Sequence, residues 1–381
     1  MTDLSGLRIG LLTASASRLG GGVFEAVAAQ AAMIRDCGGE APVFALHDAH
    51  SDSDSARFAD GTVSHVRVSG PARFGFAPGL IDRLVGAGLD CLHLHGIWMY
   101  PSRAARVWAR RTGGPLLISP HGMLAPWIVA RGRLQKSVAR IAYERASWRE
   151  ARAFHALTEA EAADILRESG RYDALVIPNA APRVGTAREG TPSPDILYIG
   201  RVHPKKNLAV LIAAWSRCRE IVERTGARLR IAGWGEDAHV AELRRSLADG
   251  SQGIEFVGPS FGADKQRLLA AAGFVVLPSL SEGLPMAILE AWAAGTPTLM
   301  SRECNLGAGF AAGAAIDCGT GEQEIAAALE QALSMPHDRW RAMSGAARAL
   351  AAGPFAAETV ARHWAHSYRD LIAGESPGAA A

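Results

Sequence analysis

The sequence predicts two doubly wound α/β domains in tandem, and three observations carry that prediction. Short apolar runs recur along the chain and alternate with helical runs, the pattern of buried parallel strands with crossover helices. A strand, a glycine turn, a helix and a second strand open the chain over residues 7–46, and a comparable order restarts at residue 196. Between the two halves, residues 180–194 are rich in Pro, Gly and Thr and read as a linker. The expected division is 1–185 for the first domain, 186–355 for the second, and 356–381 for a C-terminal helix that packs back on the first domain, followed by a disordered tail. Two such domains in tandem imply a ligand cleft between them.

Bulk properties narrow the function classes. The 381 residues give room for buried cores, and 49% apolar with 20% charged residues is the balance of a globular protein. A net charge of +2 gives no reason to expect nucleic-acid binding. The five cysteines show no metal-ligand spacing, which argues against a zinc site or a disulfide framework. No basic-plus-apolar leader precedes the first strand, and no apolar run approaches the ~20 residues of a spanning helix. A cytoplasmic protein is the expectation.

Taken in order, residues 7–13 read as a strand, Gly20-Gly21-Gly22 as a tight turn, 23–36 as a helix and 42–46 as a strand. The turn could bring backbone amides to a phosphate, although it is not GxGxxG. Residues 47–62 read as a polar surface loop, and the Asp52-Ser-Asp54 within it as solvated rather than metal-binding. Residues 89–98 and 116–123 each hold a strand finishing in His-Gly, at His95 and His121. Ligands collect at the carboxyl ends of such strands, so His121 is a candidate site residue.

Around the second of these strands, residues 103–152 read as helical and basic. They carry eleven Arg or Lys, with Glu144 and Glu150 as counter-charges and Trp108, Trp127 and Trp148 interleaved. The plain reading is a solvated face with core tryptophans. The pattern also suits a basic, aromatic surface for peripheral contact with an anionic membrane, at its inner face in the cell. Thr158 and Glu161 read as a capping box opening the next helix.

In the second half, 196–199, 229–232, 254–257, 274–277, 298–300 and 315–316 read as strands, with a helix from Leu208, one through Ala271 and a last helix over 356–373. The 279–290 stretch follows a buried strand and enters a helix, with Pro285 suited to its first turn. Glu282 lies before that helix and Glu290 about a turn and a half inside it. Two acids flanking a helix N-terminus could hold hydroxyls on either side of a phosphate.

Together these residues resemble the GT-B retaining glycosyltransferases with an E-x7-E motif, the family 4-like group 1 transferases of exopolysaccharide type. Glu282 and Glu290 match E-x7-E, and Gly200-Arg201 with Lys205-Lys206-Asn207 matches the Gly-Arg…Lys-Lys segment. Gly233-Trp-Gly235 and Phe256-Val-Gly258 fall between them, while His95-Gly-Ile-Trp and Ser119-Pro-His-Gly-Met resemble acceptor-side strands. The resemblance implies transfer of a hexose, with retention, from a UDP- or GDP-sugar to a lipid-linked or glycan acceptor, with no cofactor and no metal. It implies that Arg201 and Lys206 grip the leaving diphosphate, that Glu290 takes the ribose and that Glu282 takes the transferred sugar near the amides of Gly283 and Leu284. It places His121 near that sugar, Gly21 and Gly22 near the diphosphate, and Gly258 near the nucleobase. Two departures stand out: Ser301-Arg-Glu-Cys-Asn-Leu-Gly replaces a Gly-Gly…Glu segment, and Ala-Ala follows Asn179 where Gly-Val is expected.

Two other readings compete. An NAD-dependent oxidoreductase would use the Gly20–Gly22 turn and Asp48 beyond the second strand. A non-catalytic scaffold would bind a nucleotide sugar within a membrane-associated assembly.

Overall fold

The computed structural model describes residues 3–59, 61–185, 193–248 and 253–375. The chain divides into two units, one made of the residues up to Pro178 together with those from Val360, the other of Asn179–Thr359. Residues 186–192 of the expected linker and the end of the expected tail lie outside the described residues.

The first unit is built on β1 (Ile9–Ser15), β2 (Val43–Leu46), β3 (Val63–Val66), β4 (Cys91–His95), β5 (Leu116–Ser119), β6 (Ala153–Ala156) and β7 (Ala174–Val176). They form one parallel sheet in the order β3-β2-β1-β4-β5-β6-β7. The chain steps outward from β1, then returns to lay β4 on its other side. That reversal opens a crevice at the carboxyl ends of β1 and β4. The core beneath holds Leu12, Leu92, Leu94, Ile118, Trp108, Trp148 and Phe154, all buried. Each large aliphatic side chain so buried stabilises the unit by about 1.5–3 kcal/mol relative to exposure.

The second unit repeats the plan with β8 (Ile196–Val202), β9 (Leu229–Gly235), β10 (Ile254–Gly258), β11 (Phe274–Leu277), β12 (Thr298–Met300) and β13 (Ala315–Asp317). Its parallel order is β10-β9-β8-β11-β12-β13, so the reversal falls between β8 and β11. Gly233 and Gly235 serve the β8–β9 pairing, since a Cβ at either would meet the Gly200 or Val202 carbonyl oxygen at 2.7 or 2.4 Å. The Gly-Trp-Gly sequence is therefore explained by close backbone approach.

Several expectations need correction. Residues 47–62 are not plain loop: Ser51–Asp54 form a helical turn and Ser55–Arg57 a 3-10 turn. Asp54 there binds the Arg18 guanidinium and backbone N–H. Pro285 stands at the cap position of the helix Met286–Ala293, one residue before its first turn. Thr158 accepts the Glu161 N–H at 3.2 Å, but the Glu161 carboxylate does not return to Thr158. It accepts from Leu157 at 2.9 Å and from Gly122 at 2.6 Å instead. Trp108 and Trp148 lie in the core, which leaves Trp127, 38% exposed, as the one tryptophan of the three on the surface.

Candidate functional site

Lys206 follows β8 and Glu282 follows β11, so the neighbouring strands at the reversal deliver them to the same place. Leu280 N–H donates to the Lys205 carbonyl at 2.8 Å, tying the two loops together. The Lys206 ammonium pairs with Glu282 Oε1, and the Ser279 hydroxyl donates to the same oxygen at 2.6 Å. Both side chains are largely buried, so the pair is only weakly screened by solvent. The loop carrying Glu282 is held from the segment that departs from the family pattern. Asn305, in the left-handed region at φ 57°, donates to the Glu282 carbonyl at 2.7 Å, and Glu282 N–H donates to the Glu303 carbonyl at 3.0 Å. Neither Ser279 nor Asn305 has a sequence signal beyond its position.

Arg201 is the penultimate residue of β8, with its side chain exposed, and no carboxylate lies within ion-pairing distance of it among the described residues. Glu290 lies on the helix Met286–Ala293 and contacts Lys265 Nζ at 2.5 Å. Glu290 Oε2 meets Lys265 as an ion pair and makes no hydrogen bond among the described residues. A carboxylate in that condition has acceptor capacity left for a hydroxyl. It faces a cavity of about 540 Å³ lined also by Phe261, Gly262, Lys265, Leu269 and Ala294. That is within the usual range for a small-molecule site. Gly258 closes β10 at φ 85°, and a Cβ there would meet nothing within 4 Å. Gly283 is exposed and Leu284 buried.

In the first unit, Gly21 precedes the helix Gly22–Asp36 at φ 55°, and a Cβ on Gly21 or Gly22 would meet open space. These positions leave the helix N-terminus accessible to an anion. Asp48 is occupied: the hydroxyls of Ser15 and Ser17 donate to its carboxylate at 2.7 and 2.8 Å. It is not presented as a free ribose acceptor, which removes the main residue supporting the oxidoreductase reading.

His121 follows β5 at φ 53°, an uncommon conformation for a non-glycine residue. The Glu161 carboxylate, gripping the next amide, is what holds the loop there. His121 Nε2 lies 2.9 Å from His95 Nδ1, with the rings stacked at 18°. Burial, then the neighbouring His155, pushes the His121 pKa down to about 3. The side chain is thus neutral at physiological pH.

Behind His95 runs a second hydrogen-bond series that sequence reasoning missed. His155 Nε2 lies 2.8 Å from the Ile177 carbonyl, which can only accept, so the proton sits on Nε2. His155 Nδ1 then accepts from the Ser119 hydroxyl at 2.8 Å, and Ser119 accepts from His93 Nε2 at 2.6 Å. His93 Nδ1 accepts from Tyr368 at 2.8 Å, whose oxygen accepts from Gln30 at 2.8 Å. Every link follows from the first, and all five side chains are buried. Tyr368 comes from the C-terminal helix Ala357–Ala373, which belongs to the first unit from Val360 onward.

The family descriptions match both halves: a glycosyl transferase 4-like domain over 21–180 and glycosyl transferases group 1 over 193–335. The chain belongs to the glycosyltransferases of this group 1, family 4-like type. A phosphatidyl-myo-inositol mannosyltransferase of Mycolicibacterium smegmatis is 25% identical over 77% of this chain and 76% of its own. A D-inositol 3-phosphate glycosyltransferase of Salinispora arenicola is 27% identical over 55% of this chain, a match spanning about half of that relative (53%). An Anabaena protein crystallised with UDP and glucose superimposes with a TM-score of 0.73 at 19% identity, over 96% of this chain and 100% of that one. A sucrose-phosphate synthase from Thermosynechococcus elongatus gives 0.73 at 18% over 97% and 100%. The fold is GT-B, two Rossmann-like domains.

Proposed function

We propose that the chain transfers a hexose from a UDP- or GDP-sugar to a lipid-linked or glycan acceptor, with retention and without a divalent metal. The observation that carries this reading is the charge pattern around the helix Met286–Ala293. Glu282 and Glu290 are each held by a lysine, Lys206 and Lys265, and Glu290 lines a ligand-sized cavity. An arriving diphosphate would take Lys206 from Glu282 and recruit Arg201. As the bond from the anomeric carbon to the phosphate oxygen breaks, these cations stabilise the charge left on the diphosphate. The acceptor oxygen forms its bond on the same face, and its proton passes to the departing phosphate oxygen. Glu282, released from Lys206, would accept from sugar hydroxyls beside Gly283 and Leu284, and Glu290 from the ribose, with Gly258 by the base. Gly21, Gly22 and His121 are the proposed contributions of the first unit.

A turnover panel of UDP-, GDP- and dTDP-sugars with EDTA present tests the reading. Lys206→Ala and Glu290→Ala should lower transfer at least about 100-fold; full activity in both would sink it. Donor binding without turnover on any acceptor would favour the scaffold.

The relative named for a phosphatidyl-inositol acceptor supports a lipid acceptor, and the surface of 126–149 suits a membrane. Val138 and Ile141 are 68% and 76% exposed, near exposed Arg133, Arg145 and Arg149. No helix among the described residues is long and apolar enough to cross a membrane. Peripheral contact predicts pelleting with phosphatidylserine vesicles that weakens with salt and with Ile141→Asp. Failure to pellet at low salt would end that part of the proposal.

A further inference from the structure

We propose that His95 is a positioning residue that fixes the tautomer of His121, so that His121 presents its Nδ1–H on the open side of its ring. The inference rests on the reading of His121 as a contact to the transferred sugar.

One proton lies between His95 Nδ1 and His121 Nε2, 2.9 Å apart. If His121 supplied it, neutral His95 would carry its own proton on Nε2. That nitrogen is buried and has no partner among the described residues, so the arrangement would bury an N–H with no acceptor. If His95 supplies the proton, its Nε2 is a bare lone pair and nothing is left donating into the core. Among backbone groups of folded proteins, orphaned buried N–H donors are the rarer fault and under-satisfied acceptors the more tolerated one, and by extension the same preference applies to the imidazole. A shared extra proton is disfavoured because burial pushes both imidazoles down. The proton therefore belongs to His95 Nδ1, and that of His121 to Nδ1.

The His95 ring is well placed to impose this. It ends β4, paired with Thr13 on one side and Ser119 on the other, and it is 3% exposed. Its ring centroid is 4.0 Å from that of His93, whose two nitrogens are fixed by Tyr368 and Ser119. His121 Nδ1 makes no hydrogen bond among the described residues, and the side chain is only part-buried. A neutral N–H held there can donate to a sugar oxygen without transferring its proton, an electrostatic contribution aimed in advance.

The test uses the full chain labelled with ¹⁵N-histidine and reads multiple-bond ¹⁵N–¹H correlations of His121 beside steady-state kinetics. The expected wild-type pattern is protonation at Nδ1. His95→Asn supplies an amide N–H in place of Nδ1–H and should keep that pattern with kcat within about threefold. His95→Asp offers only an acceptor, should move the His121 proton to Nε2, and should lower kcat about 100-fold with little change in donor KM. An Nε2-protonated wild type overturns the proposal, as does His95→Asp with altered tautomer and undiminished kcat. The expected spectra in a protein that transfers no sugar would uphold the tautomer and refute the transferase reading instead.

Discussion

Glu144 is a buried carboxyl in the middle of a basic segment, and its protonation should show in the stability of the first unit. It closes a π-helical turn, Arg140–Glu144, that points two consecutive side chains at the peptides on either side of Trp98. Glu144 accepts the Trp98 N–H at 2.5 Å, and the Tyr143 hydroxyl donates to the Trp98 carbonyl at 2.9 Å. Trp98 sits at φ 80°, so this clamp holds a strained loop just after His95. Burial raises the Glu144 pKa to about 7 from an ordinary 4.5, against the lowering effect of the Trp98 N–H. Between those values the folded chain keeps a proton that the unfolded chain has released. Stability contributed by the protonated acid is then fully present below pH 4.5 and is lost as pH rises through 7. The gap, at about 1.4 kcal/mol per pH unit, amounts to about 3 kcal/mol. Glu144→Gln keeps an acceptor for Trp98 but cannot ionise. Hydrogen exchange of peptides from β4 and β5, compared between wild type and variant at each pH, reports the first unit alone. Wild type should lose about 2.5 kcal/mol relative to the variant between pH 5 and 8. Glu161, also raised by burial, is common to both chains and cancels. Parallel pH profiles would refute the reasoning.

The buried series through Ser119 makes further predictions. Ser119→Ala leaves His93 Nε2–H without an acceptor and His155 Nδ1 without a donor, and should cost about 2–4 kcal/mol by urea titration; a loss under 0.5 kcal/mol would mean the links carry little. Tyr368→Phe strands Gln30 and His93 in the same way, and combined with Ser119→Ala should cost less than the sum of the two, because His93 is shared.

Most of the strands were legible because parallel strands buried on both faces are written as apolar runs between turn residues. Glu282, Glu290 and Lys206 were legible through motif spacing. Their immediate partners were not. Lys265 reaches Glu290 from a different βα unit, and Ser279 reaches Glu282 only once its loop has folded back on itself. Glu161 reads as a local cap because Thr158 stands three residues before it, yet its carboxylate holds a loop 39 residues away. Glu144 reads as a counter-charge on a solvated face. The π turn carries one more residue than an α-helical turn and rotates it into the core. Periodicity assumes a constant 3.6 residues per turn, so an interrupted helix is where it fails.

The C-terminal helix Ala357–Ala373 gives the first unit a peculiar biography. Its Trp364 and Tyr368 stack on one another and pack, tilted and edge-on, against His93, completing a core whose strands precede the second unit in the chain. Everything between, the whole of the second unit, leaves the ribosome before those two rings do. Until then the His93 and Gln30 side chains await partners, and an apolar face awaits its cover. The later-encoded unit can thus finish folding before the earlier one, and a nascent chain stalled within the second unit would display an incomplete first unit to chaperones and proteases.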